Sequence, residues 1–152
     1  MRKHPLSSLI SLMVFIATPS FCVADIQRLV LVSNINHEAI SLTPKQIRKL
    51  FLGKTNMPGG VKIRPIVNHS DPLIYEVFLQ KVVYMSSIAY ERQLSSRVFR
   101  HGGQRIPIYS NKRQIKRELL ENLNTVSFMW ASDIKKDNNY AIIAELWQGQ
   151  IQ

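Results

Sequence analysis

The segment VNHSDPLIYEVF, Val67–Phe78, combines the end of a strand, a polar turn and the start of a helix. Asp71 is a residue type that caps helices, and Pro72 follows at the first helical position, where proline is favoured. Helix starts often hold anions on backbone N–H groups that have no partner within the helix. The segment therefore predicts a strand-to-helix turn. It leaves open whether the turn is an anion site or whether its own side chains fill that site.

Strands and helices alternate on both sides of this segment. The predicted strands are Ile26–Ser33, Val61–Val67, Thr125–Trp130 and, as a strand or an extended connector, Ile106–Tyr109. The predicted helices are Pro44–Leu52, Pro72–Tyr84, Ser87–Arg100 and Asn111–Leu123. The tail Tyr140–Trp147 fits either a strand or a helix, because short apolar runs are ambiguous. This order predicts one α/β domain with a small mixed, largely parallel sheet flanked by helices.

Apolar spacing also predicts which side chains face the core. On the last two helices these are Ile88, Leu94, Val98, Ile115, Leu119, Leu120 and Leu123. Six aromatic residues are expected to pack in the core or on strands rather than to stack on a ligand, because the apolar body of an aromatic is buried first. They are Tyr84, Tyr90, Phe99, Tyr109, Phe128 and Trp130.

The N-terminus has the pattern of a secretory signal peptide. Arg2 and Lys3 precede a mostly apolar stretch, Leu6–Thr18, which is shorter than the roughly 20 residues that span a membrane. Small residues near Ala24 predict cleavage there, so that residues 1–24 are removed and 25–152 form an exported, periplasmic domain. Lipidation of Cys22 and a retained anchor are the alternatives. Cleavage removes the only cysteine, which excludes zinc–cysteine sites and thiol catalysis in the mature form.

The chain is strongly basic. Lys and Arg number 20 against 10 Asp and Glu, a net charge of +10, and loss of Arg2 and Lys3 leaves +8. The basic surface of an exported protein is either a solvated surface that keeps the protein in solution or a surface that meets an acidic protein, an envelope polyanion or an anionic membrane face. Membrane contact is expected to be at most peripheral, and no nucleic acid is expected. One helix carries a row of basic residues that is either a solvated face, balanced in part by Glu118 and Glu121, or a docking ridge for an acidic partner. The row consists of Lys112, Arg113, Lys116 and Arg117.

Motifs for catalysis or metal binding are not found. His37, His69 and His101 have no second ligand at metal spacing, and there is no nucleophile elbow or nucleotide loop. The sequence predicts a non-enzyme without a cofactor.

Several segments together resemble a known family. The segment LTPKQIRKLFLGK, Leu42–Lys54, is followed by PGGVKIRPIV, by a helix containing YEVFLQKV and by YERQLSSRVFRHGG. This order is similar to that in the phosphate-binding substrate-binding proteins of ABC transporters, which have the type 2 periplasmic binding protein fold. The likeness covers about Leu31–Met129, and the segment Phe51–Lys54 (Phe-Leu-Gly-Lys) is its most specific part. The resemblance implies one lobe of a protein that has two lobes in full-length members.

The resemblance also decides how the opening turn is interpreted. Members carry Arg-x-Asp-x-Ser-Gly-Thr at the strand-to-helix turn that holds phosphate. A match without gaps places Asn68 at the arginine, Ser70 at the aspartate, and Pro72, Leu73 and Ile74 at Ser-Gly-Thr. Asn cannot supply a charged bidentate fork, and proline has no N–H to donate. We therefore expect the phosphate-ligating motif to be lost and the carboxylate of Asp71 to cap the helix instead.

Two functions remain open at this point. The resemblance implies a solute-binding protein, and any site for a small oxyanion would use Asn34, Asn68, His69 and Ser70 at the strand ends. The alternative is an adaptor or scaffold module that binds an acidic protein or envelope polyanion through its basic surface.

Overall fold

A computed structural model of the chain describes residues 25–34, 41–54, 60, 62–134, 137 and 139–151. The predicted signal peptide, residues 1–24 including Cys22, lies outside the described residues, and so do His37 and Glu38.

A four-stranded sheet forms the centre of the described structure. Its strands are β1 (Ile26–Asn34), β2 (Arg64–Pro65), β5 (Thr125–Trp130) and β6 (Tyr140–Gln150), in the spatial order β2-β5-β1-β6. A separate pair is formed by β3 (Val67–Asn68) and β4 (Ile108–Tyr109). The ambiguous tail is thus a strand, β6, which pairs with β1 along its length.

The sheet is mixed, and the predicted α/β class is confirmed, but its long ladders are not parallel. Strand β1 pairs antiparallel with both β5 and β6, whereas the parallel pairs β2–β5 and β3–β4 involve two residues each. The short helix α5 (Ala131–Ile134) lies in the connection by which the chain passes from β5 across β1 to β6. Hydrophobic periodicity indicates where a strand lies but not the direction in which it pairs. The sequence therefore predicts more parallel pairing than the structure contains.

Helices lie on both faces of this sheet. They are α1 (Pro44–Phe51), α2 (Pro72–Phe78), α3 (Ser87–His101) and α4 (Lys112–Glu121), each starting within a residue of its predicted bound. The predicted helix Pro72–Tyr84 is α-helical only to Phe78 and continues as a π-helical segment, Leu79–Val83. The N-cap residues account for these starts: the side chains of Thr43, Asp71, Ser86 and Asn111 each accept a backbone N–H bond.

Alternate residues of β1 build two separate apolar clusters. Leu29 and Leu31 belong to the cluster that contains residues of α1, α2 and α3, and Val30 and Val32 belong to the cluster that contains residues of α4 and α5. This is the two-residue period of a strand that is buried on both faces. The first cluster contains an aromatic group in which the rings of Phe78 and Phe128 are stacked 4.1 Å apart.

Some residues predicted to face the core are exposed. They are Tyr84, Ile88, Phe99, Leu120 and Leu123. Helix α3 buries only Tyr90 and Leu94, and Ile88 lies on the opposite side of the helix from Tyr90. Leu123 follows the end of α4 and no longer shares its buried face. These predictions were wrong because apolar spacing alone does not show how much of a helix surface is buried.

Candidate functional site

The strand-to-helix turn is held together by Asn68. Its buried amide Nδ2 donates to the carbonyl of Phe128 at 3.0 Å, which fixes the end of β3 against β5. Its Oδ1 accepts from the backbone N–H of Ser70 at 3.0 Å and from the hydroxyl of Ser70 at 2.7 Å. Both ends of the Asn68 amide are therefore used within the protein, as buried polar groups require.

Asp71 caps α2 as predicted. Its Oδ1 accepts from the backbone N–H of Leu73 at 2.9 Å, and Nε1 of Trp130 lies 3.4 Å from Oδ2 at the limit of a hydrogen bond. Pro72 between them has no N–H. A carboxylate thus occupies the start of the helix, where the helix dipole favours a negative charge.

His69 is the exposed member of the turn. Its backbone N–H donates to the carbonyl of Tyr109 at 2.8 Å, which joins it to the small sheet. Its imidazole ring lies with its centroid 4.4 Å from that of Tyr75 on α2.

Asn34 lies away from this turn. Its Nδ2 donates to the carbonyl of Leu120 at 2.9 Å. Asn34 is the last residue of β1, and this end of β1 lies next to the start of β5. Asn68 instead contacts Phe128, further along β5. The structure brings Asn68, His69 and Ser70 together but not Asn34, because β1 runs antiparallel to β5 and its carboxyl end is at the other end of the sheet.

A groove of about 520 Å³ runs beside the turn, between α2 with its π-helical extension and the start of α3. Glu76 and Glu91 line it together with His69 and Tyr75, and no Lys or Arg is among the described residues that line it. Glu91 forms an ion pair with Arg105, and Glu76 accepts from Gln80 at 2.9 Å. This lining is poorly suited to an anion.

Sequence reasoning did not single out Glu76 or Glu91. They are 15 residues apart on two helices, and only the helix–helix connection through Tyr84 brings them to one groove. The signal that was present is the absence of lysine and arginine between Val67 and Gln80 in an otherwise basic chain.

The basic row on α4 is partly neutralised. Lys112 Nζ lies 2.8 Å from a carboxylate oxygen of Asp133, and Lys116 Nζ lies 3.1 Å from one of Asp137. The hydrogen bond from Lys116 holds the pKa of Asp137 below its usual value. These two aspartates, rather than Glu118 and Glu121, balance the row, since Glu118 pairs instead with Arg64 at 2.9 Å.

Arg113 and Arg117 are the remaining members of the row. Neither forms an ion pair within the part of the chain that the structure describes, and both lie on α4 beside the two paired lysines. Arg113 and Arg117 therefore supply the positive charge of the row that is not paired within the described residues.

Within residues 25–34, 41–54, 60, 62–134, 137 and 139–151, no group of three or more His, Cys, Asp or Glu residues is arranged to hold a metal ion. No helix in the same ranges has the length and apolarity needed to cross a bilayer.

Comparison with known proteins finds similarity at the level of structure only. No protein-family model and no curated protein matches the sequence. An ABC-type phosphate transport receptor from Vibrio cholerae superposes with a TM-score of 0.56 at 16% identity, covering 79% of this chain and 46% of that one. A protein from Clostridium perfringens, described as a phosphate ABC transporter substrate-binding protein with bound phosphate, gives a TM-score of 0.53 at 17% identity, covering 78% and 44%.

These matches confirm the predicted architecture. The chain spans about half the length of the two solved proteins, as the resemblance to one lobe implied. At this identity the likeness establishes the fold, and fold alone does not fix the ligand.

Proposed function

We propose that the chain is an exported, non-enzymatic binding module derived from the phosphate-binding fold, which has lost phosphate ligation and binds an acidic protein or envelope polyanion. The observation that carries this proposal is the bond from the N–H of Leu73 to the carboxylate of Asp71, at 2.9 Å. A fixed negative charge at the helix start repels a second anion at the same place.

The rest of the turn supports the loss of phosphate ligation. Asn68 uses its amide to hold Phe128 and Ser70, and Pro72 has no N–H to offer. The adjoining groove contributes Glu76 and Glu91, and no Lys or Arg is among the described residues that line it. Each of these features would have to change for phosphate to be held there.

The positive surface supports the second half of the proposal. Arg113 and Arg117 extend from α4 on the face of the sheet opposite to α1, in a protein whose net charge is +10 before and +8 after the proposed cleavage. Guanidinium groups bind carboxylates and phosphates in bidentate fashion, so two on one helix suit an acidic polymer or protein.

Titration calorimetry with inorganic phosphate tests the first half. We expect no heat of binding that corresponds to a Kd tighter than about 10 μM, near −7 kcal/mol. Binding of that strength would show that the site at the start of α2 is open and would overturn the proposal.

Binding to polyglutamate at increasing salt tests the second half. Arg113→Glu with Arg117→Glu should weaken binding severalfold and reduce its salt dependence, because both charges belong to the proposed surface. The matched control is Lys45→Glu with Lys49→Glu, which makes the same charge change on exposed positions of α1. Equal loss in both double variants would mean that only net charge matters and that no α4 surface exists.

A small oxyanion at the turn is the second candidate, favoured by the likeness to a structure with bound phosphate. His69 is the exposed polar side chain available for it, beside Asn68 and Ser70. The calorimetry above distinguishes this candidate from the first.

Export is tested separately by mass spectrometry of the protein isolated from cells. A mature chain that begins at Asp25 is expected. A diacylglycerol-modified Cys22 or an intact Met1 would contradict cleavage after Ala24.

A further inference from the structure

The outer face of α3 carries exposed apolar side chains at helical spacing. Ile88 is 74% exposed and Phe99 is 89% exposed, although α3 buries Tyr90 and Leu94 on its other side. Positions 88, 92, 95 and 99 follow the i, i+4, i+7, i+11 spacing of one helix face. The two apolar residues are about 16 Å apart along the helix axis, at 1.5 Å per residue. Single exposed apolar residues are ordinary, whereas Ile88 and Phe99 lie on one side of α3 with the exposed Arg92 between them.

Positive charge predominates on this helix, which has three arginines and one glutamate. Arg92 and Arg100 are exposed, and Arg92 lies between Ile88 and Phe99 on the apolar stripe. The only acidic residue of α3, Glu91, is neutralised by its ion pair with Arg105. The face thus presents positive charge beside apolar surface with no competing carboxylate of its own.

Tyr84 adds an aromatic residue just before α3. It is 69% exposed and has a left-handed backbone conformation with φ of 56°, which is uncommon for a non-glycine residue. The guanidinium of Arg48 lies 5.6 Å from its ring centroid, in cation–π contact. An exposed aromatic side chain therefore precedes α3, and the exposed Phe99 is followed by Arg100 near the end of α3.

We propose that the face of α3 formed by Ile88, Arg92 and Phe99, with Arg100 beside it and Tyr84 just before the helix, binds peripherally to an anionic lipid surface. The chemistry matches a bilayer interface, where anionic head groups lie directly above apolar acyl chains. Phe99 and Ile88 enter the acyl boundary while the arginines remain at the phosphates, and Tyr84 lies at head-group depth. A protein partner would instead need two apolar pockets about 16 Å apart with an acidic group between them. This surface is separate from α4, and the inference does not depend on what Arg113 and Arg117 bind.

Cosedimentation with lipid vesicles tests the inference. The protein should sediment with vesicles of phosphatidylglycerol and phosphatidylethanolamine and remain in solution with vesicles of phosphatidylcholine. Ile88→Ser with Phe99→Ser should lower the partition coefficient on the anionic vesicles by about tenfold, because two apolar side chains no longer enter the interface. The far-ultraviolet circular dichroism of this variant should be unchanged, since neither side chain is buried.

The matched control removes exposed apolar side chains elsewhere. Leu120→Ser with Leu123→Ser, at the end of α4, should bind anionic vesicles as the unmodified protein does. Failure of the unmodified protein to sediment with anionic vesicles would overturn the inference and would point to a protein partner for this face. Equal binding by the Ile88/Phe99 variant and the unmodified protein would also overturn it, because attraction would then come from charge alone.

Discussion

At the start of α2 a side chain of the protein occupies the position where an anion is favoured. The Asp71 carboxylate bonds to the N–H of Leu73 at 2.9 Å, so the cap and the occupied anion position are one contact. The same carboxylate caps the helix and blocks the anion position. The two roles can therefore be distinguished only by a substitution that keeps the cap and removes the charge, or that removes the cap.

Asp71→Ala is expected to lower the free energy of unfolding by about 0.5–2 kcal/mol, because the N–H of Leu73 loses its acceptor. Asp71→Asn should retain most of the stability, since asparagine caps a helix nearly as well as aspartate. Urea unfolding measures both. No gain of phosphate binding is expected in the asparagine variant, because Pro72, Leu73 and Ile74 offer neither hydroxyls nor a full set of N–H donors. The argument fails if that variant binds phosphate or if the alanine variant unfolds at the original urea midpoint.

The contacts of Asn68 lead to a second stability prediction at the same turn. Asn68→Ala should destabilise the protein by about 1–3 kcal/mol, because the buried carbonyl of Phe128 and the N–H of Ser70 lose their partners. Ser70→Ala is the control and should cost only about 0.5–1.5 kcal/mol, since its backbone bond to Asn68 remains. Equal effects of the two substitutions in urea unfolding would mean that Asn68 does not hold the turn.

At the scale of elements, local signals predicted helices well and strand pairing poorly. Thr43 and Asp71 cap their helices as their positions in the sequence indicate, because a cap is a contact between near neighbours. The pairing of β1 with β6, by contrast, joins Asn34 to Tyr140, and nothing in either segment specifies the other. For the same reason the sequence does not show that Asn34 lies away from the turn that contains Asn68. The sequence predicts Val61–Val67 as one strand, but Arg64 and Pro65 belong to the central sheet and only Val67 belongs to the small one, since the chain changes partner strand after Pro65.

Strand β6 contains a glycine that the packing of its neighbour requires. A Cβ on Gly149 would overlap the ring of Trp147, two residues away on the same strand, and Trp147 packs on the first apolar cluster. Gly149→Ala should therefore destabilise the protein by about 1–3 kcal/mol, as overpacking does. Gln148→Ala is the matched control, with little effect expected because its side chain points to the other side of the strand. In a Trp147→Leu background the cost of Gly149→Ala should shrink in urea unfolding, and an unchanged cost would exclude the ring as its cause.

At the scale of the whole molecule, the central sheet separates two apolar clusters that depend on one another through β1 and β5. Residues of the same strands supply both clusters, for example Leu31 and Val32. One polar bond crosses the first cluster: the hydroxyl of Tyr90 donates to the carbonyl of Phe51 at 2.9 Å, between α3 and α1. In the second cluster the buried hydroxyl of Tyr140 has no hydrogen-bond partner among the described residues.

These two phenols give the stability of the whole domain a defined response to alkali. Burial raises the pKa of Tyr90 well above its ordinary value of 10, and burial raises the pKa of Tyr140 to about 12. Above about pH 10 the unfolded chain loses both protons while the folded chain keeps them, so the unfolded state binds fewer protons and stability falls as pH rises. Each phenol contributes a slope of about 1.4 kcal/mol per pH unit in this range, and for Tyr140 the slope ends near its folded pKa.

The variants Tyr90→Phe and Tyr140→Phe distinguish the contribution of the Tyr90 hydrogen bond to stability from the contribution of phenol ionisation. At neutral pH we expect Tyr90→Phe to cost about 0.5–1.5 kcal/mol, because the carbonyl of Phe51 loses its donor. Tyr140→Phe removes a hydroxyl without a partner and should be neutral or slightly stabilising. Between about pH 10 and pH 12 both variants should lose stability less steeply than the unmodified protein, since one titrating group is absent in each. Urea unfolding across this range measures the slopes. If the Tyr90→Phe variant retains the full alkaline slope, the phenol at the centre of the first cluster is not protected from ionisation by burial.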